Sequence, residues 1–256
     1  MQSFRDRLKN RETLVGTLVT LAAPQVPEML AQAGFDWLWI DGEHAPLSVQ
    51  DVQTLVQVAG PDCPCLIRIA DQNPRCIKQA LDIGAAGIIV PLVNTAAQAR
   101  EIVLKSKYPP KGQRSIGIGR AQGYGRHFAS YIETANQSTC VVLQIEHIEA
   151  VENIESIIAV EGVDAVIVGP YDLSGSLGKP GRVTDPEVEE AIERIRNACE
   201  QAKMPMGIFA MDPEPLDRYA RQGYSLLALG IDTVFLGRSA GKAREQLQQY
   251  LKVTRC

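Results

Sequence analysis

At 256 residues, with 45% hydrophobic and 22% charged residues, the chain is long enough for one sizeable buried core. A net charge of −4 with no basic stripe argues against nucleic acid as a partner. The polar start MQSFRDRLKN has no apolar signal-peptide core, and no apolar run approaches a membrane span, so no membrane is expected.

Short apolar runs recur along the chain: LVGTLVT (14–20), DWLWI (36–40), CLIRI (65–69), GIIV (87–90), CVVLQI (140–145), AVIV (165–168), PMGIFA (205–210) and SLLAL (225–229). They are too short for helices and lack alternation, as strands buried on both faces do. Helical patterns lie between them. In VTDPEVEEAIERIRNACEQAK, Val188, Ile192, Ile195 and Cys199 form one stripe. Its start offers either Thr184 three before Glu187 or Asp185 followed by Pro186.

The second, fourth, sixth and eighth runs share a weak repeat. GFDWLWI, GAAGIIV, GVDAVIV and GYSLLAL each place a glycine (34, 84, 162, 223) two residues before the strand. Glycine there suits the left-handed cap of the preceding helix. The two-fold alternation through eight strands predicts a (β/α)8 TIM barrel of α/β class rather than an open doubly wound sheet. With no linker or low-complexity segment, residues 1–256 read as a single domain. The longest connection, Tyr108 to Gln137, is expected to cover a site or build an interface.

The six cysteines have no zinc spacing, since Cys63 and Cys65 are one residue apart without a local histidine. Cys140 reads as a small core residue of a reducing compartment, which predicts a cytoplasmic protein.

In a barrel, chemistry sits at the C-terminal strand ends. Those ends carry Asp41, Glu43 and His44 after the second run, Arg68 on the third, Gln144 and Glu146 on the fifth, and Asp172 after the sixth. Glu146 and Asp172 come from neighbouring strands, and two carboxylates with other positions left to water and substrate suit Mg2+ or Mn2+. Each carboxylate alone could equally cap a helix. His44 lies in the polar mouth turn. Arg68 sits in an apolar strand and needs an anion, either a protein carboxylate or a substrate oxygen. Asp82 precedes the fourth run, on the last turn of a helix. His127 and His147 are expected to lie outside the site. Neither GIGRAQGYG (117–125) nor GSLGKPG (175–181) has the spacing of a nucleotide-binding loop.

The stretches AGFDWLWIDGEHAP, LDIGAAGIIVP, YPPKGQRSIG, VVLQIE, EGVDAVIVGPYDLS and, more loosely, LGIDTVFLGR run along almost the whole chain. In them the sequence resembles the HpcH/HpaI family of class II pyruvate aldolases. The resemblance implies a divalent ion (Mg2+, Mn2+ or Co2+) at Glu146 and Asp172, chelated by pyruvate or another 2-oxo acid. It implies an acid/base dyad of His44 with Asp82, Arg68 on the keto or enolate oxygen, and Gln144 helping to orient it. The turn of Gly169, Pro170, Tyr171 and Asp172 would offer amides to the substrate carboxylate. Arg120 and Arg126 are candidates to meet its distal end. A homohexamer is implied, with the helix from about Ala240 to Val253 packing on a neighbouring subunit.

The expected reaction is reversible cleavage of a 4-hydroxy-2-oxo acid, of 2-keto-3-deoxy sugar acid or 4-hydroxy-2-oxoheptanedioate type, to pyruvate and an aldehyde. Oxaloacetate decarboxylation or condensation on the same site is the enzymatic alternative. A CoA-ester lyase lacks a clear basic cluster for the CoA phosphate, and a non-catalytic 2-oxo acid sensor is the remaining reading. A Schiff-base aldolase needs a lysine at a strand end. No run contains one; Lys78, Lys105, Lys107 and Lys203 fall in helices or loops.

Overall fold

The computed structural model describes residues 2–253. The chain opens with α1 (Phe4–Lys9), then β1 (Leu14–Val19), α2 (Gln25–Gln32), β2 (Trp37–Asp41), α3 (Val49–Ala59) and β3 (Cys65–Arg68). It continues with α4 (Pro74–Asp82), β4 (Gly87–Val90), α5 (Ala96–Ser106), α6 (Phe128–Ser138) and β5 (Cys140–Ile145). Two short helices, α7 (Ile148–Glu152) and α8 (Ile154–Ile158), lead to β6 (Ala165–Val168) and α9 (Pro170–Ser176). Last come α10 (Pro186–Ala202), β7 (Met206–Ala210), α11 (Pro213–Arg221), β8 (Leu226–Ile231) and α12 (Asp232–Val253). The eight strands pair in parallel and in order, and β8 returns to β1 to close the barrel.

Each strand buries both faces, which is why no run alternates. Leu38, Ile40, Ile67, Ile88, Val141, Val166 and Ile208 point outward into the layer shared with the helices. Leu14, Leu18, Trp37, Trp39, Leu66, Ile89, Val142 and Ile167 fill the interior. α1 plugs the floor: Ser3 caps it by accepting from the Asp6 amide, and Phe4 and Leu8 join the interior core. The Phe4 ring lies 6.3 Å from Trp37, whose indole stacks on Trp39 at 6.2 Å. A side chain at Gly16 would overlap the Trp37 indole, so β1 passes close by only because it is bare there.

Three of the four repeated glycines do what the pattern predicts: Gly34, Gly84 and Gly223 directly follow a helix C-cap, whereas Gly162 lies three residues past Ala159, the C-cap of α8. Gly34, Gly84, Gly162 and Gly223 have φ of +90°, +91°, +98° and +90°. At α10 the choice of start is settled: Asp185 is the N-cap, accepting from the Glu187 amide, and Pro186 is the first helical residue. Its predicted stripe of Val188, Ile192, Ile195 and Cys199 is buried.

α12 begins on the barrel, where Asp232 accepts from the amides of Thr20 (2.8 Å) and Leu21 (2.9 Å) in the loop after β1. Beyond Phe235 it leaves the barrel and exposes Leu236, Leu247, Tyr250 and Leu251. No helix among the described residues is long and apolar enough to cross a membrane.

The cap glycines give a clean test. A β-carbon at Gly34 would meet nothing within 4 Å, so Gly34→Ala isolates the cost of a left-handed backbone. It should cost roughly 1–2 kcal/mol, read as a lower urea midpoint with unchanged slope.

Candidate active site

The mouth at the C-terminal strand ends holds a cavity of about 560 Å³, lined among others by Trp39, Asp41, His44, Arg68, Gln144 and Asp172. That volume suits a small organic ligand.

Its base is a buried ion pair. Asp41 ends β2 and Arg68 ends β3, and the two are partners in register. Arg68 donates from Nε to Asp41 Oδ1 at 3.0 Å and from Nη2 to Oδ2 at 2.8 Å. Its Nε also lies 3.2 Å from Glu43 Oε2, and the guanidinium sits 5.1 Å over the Trp39 ring. Of the two anions left open for Arg68, the protein carboxylate is therefore present. Nη1 has no protein partner among the described residues, so one edge of the guanidinium stays available to the cavity.

Burial raises the cost of ionising Asp41, but the Arg68 bonds outweigh it and hold the carboxyl below its ordinary range. Asp41 Oδ1 also accepts from the amides of Glu43 (3.1 Å) and His44 (3.2 Å). This fixes the turn that carries His44, whose exposed imidazole lies 3.5 Å from Glu43 Oε2. Burial pushes the Glu43 carboxyl upward, against the pull of Arg68.

On the far side, Glu146 is 3% exposed just past β5. Its Oε1 accepts from the Leu92 amide at 2.8 Å, and its Oε2 is in close contact with the Gln144 amide nitrogen. Burial, with Asp172 adding repulsion, raises the Glu146 carboxyl to about 7. Gln144 Oε1 is buried without a hydrogen-bond partner. Gly169 is tight against the pair, since a β-carbon there would lie 2.9 Å from Glu146 Oε2. Asp172 lies in the first turn of α9, where the Tyr171 and Asp172 amides have no helical acceptor.

These residues fit a divalent ion. Two carboxylates and an orphaned amide oxygen form a hard-oxygen donor set, and the buried Glu146 lacks a direct cationic partner. Among the described residues no three His, Cys, Asp or Glu side chains gather around one point, so water and substrate would complete the shell.

Two expected site residues stand elsewhere. Asp82, ending α4, lies at the floor rather than the mouth and accepts from Arg114 Nη2 at 2.6 Å. Arg120 donates to the Ile83 carbonyl at 2.9 Å beside it. Within one chain, then, neither the His44–Asp82 dyad nor an Arg120 contact with the mouth forms. The physical reason is topological: a residue that precedes a barrel strand lies at the end opposite the one it leads to. His127 is exposed, and His147 caps α7 by accepting from the Glu149 amide.

Sequence reasoning left Asp41, Leu92, Phe209 and Met211 out of the site. Asp41 was visible at a strand end, but its pairing across strands was not. Leu92 acts through its amide and adopts φ +55°, which no motif signals. Phe209, near the end of β7, and Met211, just past it, build an apolar wall with Leu21 and Tyr171.

The sequence pattern of the family described as HpcH/HpaI aldolase/citrate lyase matches residues 15–238. The chain is 39% identical over 234 residues to the 2-keto-3-deoxy-L-rhamnonate aldolase of Salmonella typhi, covering 90% of this chain and 87% of that relative. Among solved structures it resembles an HpcH/HpaI aldolase/citrate lyase family protein from Burkholderia cenocepacia J2315. The TM-score is 0.93 at 34% identity, over 97% of this chain and 100% of that one. An HpcH/HpaI aldolase from Desulfitobacterium hafniense DCB-2 gives 0.90 at 32%, over 97% of each chain.

If Asp41 positions the mouth, Asp41→Ala should leave a buried guanidinium short of its main partner and destabilise the fold by roughly 3–5 kcal/mol. Urea unfolding checks this; an unchanged midpoint would show that Glu43 alone suffices.

Proposed function

The chain belongs to the HpcH/HpaI aldolase/citrate lyase family, and from that premise we propose a single-domain carbon–carbon lyase acting at the mouth. It reversibly cleaves a 4-hydroxy-2-oxo acid to pyruvate and an aldehyde, with a divalent ion (Mg2+, Mn2+ or Co2+) held by Glu146 and Asp172. The observation that carries this reading is the single cavity that Gln144, Asp172, one open edge of Arg68 and the exposed His44 share, with Glu146 behind Gly169 at its wall.

When bound, the ion polarises the keto group as a Lewis acid. The rest falls to the chain. Arg68, immobilised by Asp41, presents Nη1 to the oxygen that becomes negative in the enolate, a fixed charge needing no reorganisation. Gln144 orients that oxygen, and the free amides of Tyr171 and Asp172 receive the substrate carboxylate. His44, beside Glu43, takes the C4 hydroxyl proton as cleavage begins and returns it in the reverse direction. Asp82 and Arg120 reach a mouth only if that mouth belongs to another copy.

The distal half of the cavity supports a substrate of the 2-keto-3-deoxy sugar acid kind. Arg68 is the only Lys or Arg lining the mouth among the described residues, and it is committed to Asp41. A second carboxylate at the far end of a heptanedioate would have no cationic partner among the lining residues. The buried thiols of Cys63, Cys65, Cys140 and Cys199, all unbridged, support a cytoplasmic setting.

A pyruvate-release assay over a panel of hydroxy-oxo acids, with chelator and with ion restored, tests the whole reading. Activity should vanish in chelator and return with Mg2+, Mn2+ or Co2+. Arg68→Ala should depress cleavage, oxaloacetate decarboxylation and pyruvate proton exchange alike, by roughly 10²–10³. His44→Ala should spare much of the decarboxylation, which generates the enolate without a base. Full activity in chelator, or equal loss of all three reactions in His44→Ala, would overturn these assignments.

The exposed face of α12 supports a homohexamer in which this helix covers a neighbour. Sedimentation velocity should show an oligomer that truncation before Ala240 disperses; a monomer at the outset would refute it.

A further inference from the structure

The floor of the barrel carries a second cavity. It is about 820 Å³, larger than the mouth, and lies beneath the N-terminal ends of β5 and β6 between α1, α5 and α8. Arg5 and Lys9 reach it from α1, Arg100 from α5, and Lys107 and Lys111 from the start of the long connection. The facing carboxylates are Glu161 and Asp164 alone. In a chain whose net charge is −4, this is a concentrated positive excess.

Internal pairing does not consume that charge. Asp164 Oδ1 accepts from Arg5 Nε at 2.7 Å and its Oδ2 from the Val141 amide at 3.0 Å. Lys9 is left 3.9 Å from the same carboxylate. Lys107 is 3% exposed, yet its ammonium donates only to neutral carbonyls, of Thr139 at 2.7 Å and Asn136 at 3.2 Å. Burial lowers its pKa to about 8, against the pull of Asp164. The side chains of Arg100 and Lys111 are exposed and have no hydrogen-bond or ion-pair partner among the described residues. Val103, Leu104, Val160 and Val163 form an apolar part of the remaining wall, beside the polar Asn136 and Ser156.

We propose that this floor cavity is a binding site for a small organic phosphate, with the phosphate among Lys107, Arg100 and Lys111 and its apolar or ring portion against Val103, Val160 and Val163. A phosphate dianion supplies the counter-charge that Lys107 lacks, and the cavity volume matches a ligand of nucleoside monophosphate size. The site lies at the opposite end of the barrel from the mouth, so the proposal stands apart from the reading of the reaction.

The test uses the full-length protein with two probes, AMP and inorganic phosphate, read by thermal unfolding and calorimetry. AMP should raise the unfolding temperature in a concentration-dependent way, as a ligand of the native state does. Inorganic phosphate should bind more weakly, lacking the body that meets the apolar wall. The double variant Arg100→Glu/Lys111→Glu alters two exposed, unpaired side chains and should fold normally. It should bind AMP about tenfold more weakly or worse, a loss of about 1.4 kcal/mol, while pyruvate release without added anion stays at the parent's level. Equal binding by parent and variant, or no response to millimolar AMP, overturns the proposal. Equal affinity for phosphate and AMP overturns the organic part of it. A change in sedimentation of the variant would instead make this floor a contact between copies, and would also overturn it.

Discussion

The two-point bond between Asp41 and Arg68 is the constraint on which the mouth is built. Both are buried at neighbouring strand ends, where an isolated charge of either sign would be costly. The bond ties the end of β2 to β3, and the same Asp41 oxygen holds the Glu43–His44 turn. Below it the guanidinium rests on Trp39, Trp39 on Trp37, and Trp37 on the Phe4 of the floor plug. A continuous column of planar groups thus runs from the catalytic end to the opposite end. A buried ion pair of this kind adds little net stability, and its contribution here is direction: it fixes which edge of Arg68 faces the cavity.

The two ends of the barrel are electrically unlike. With Asp41 and Arg68 cancelling, the mouth retains Glu43, Glu146 and Asp172, while the floor gathers lysine and arginine. Burial, with repulsion between the carboxylates adding to it, lifts Glu146 and Glu43 above their ordinary range. Such a mouth favours added positive charge and, without it, opposes an anionic substrate.

Much of the fold is legible in the sequence because a parallel barrel buries its strands on both faces. Apolar runs therefore mark strands to within a residue or two, and Gly34, Gly84 and Gly223 mark the helix ends before them. The strand-end rule likewise locates Glu146, Arg68 and His44 at the mouth. What it does not give is pairing between elements. Asp82 is correctly legible as the end of a helix, but its partner, Arg114, comes from 32 residues later in an irregular connection. Arg120 is equally bound up with a backbone carbonyl that no pattern announces. Contributors that act through the backbone, such as Leu92, leave no side-chain signature at all.

Closure of the barrel has a consequence for synthesis. β1 pairs with β8, so Leu14 waits for Leu226, and Thr20 and Leu21 wait for Asp232. At roughly 5–20 residues per second, about 10 to 40 s separate the emergence of these partners from the ribosome. Throughout that interval β1 is an open edge whose amides bond only to water, exposed to pairing with other nascent chains. A protein whose finished sheet has no edge is thus, while being made, a protein with one.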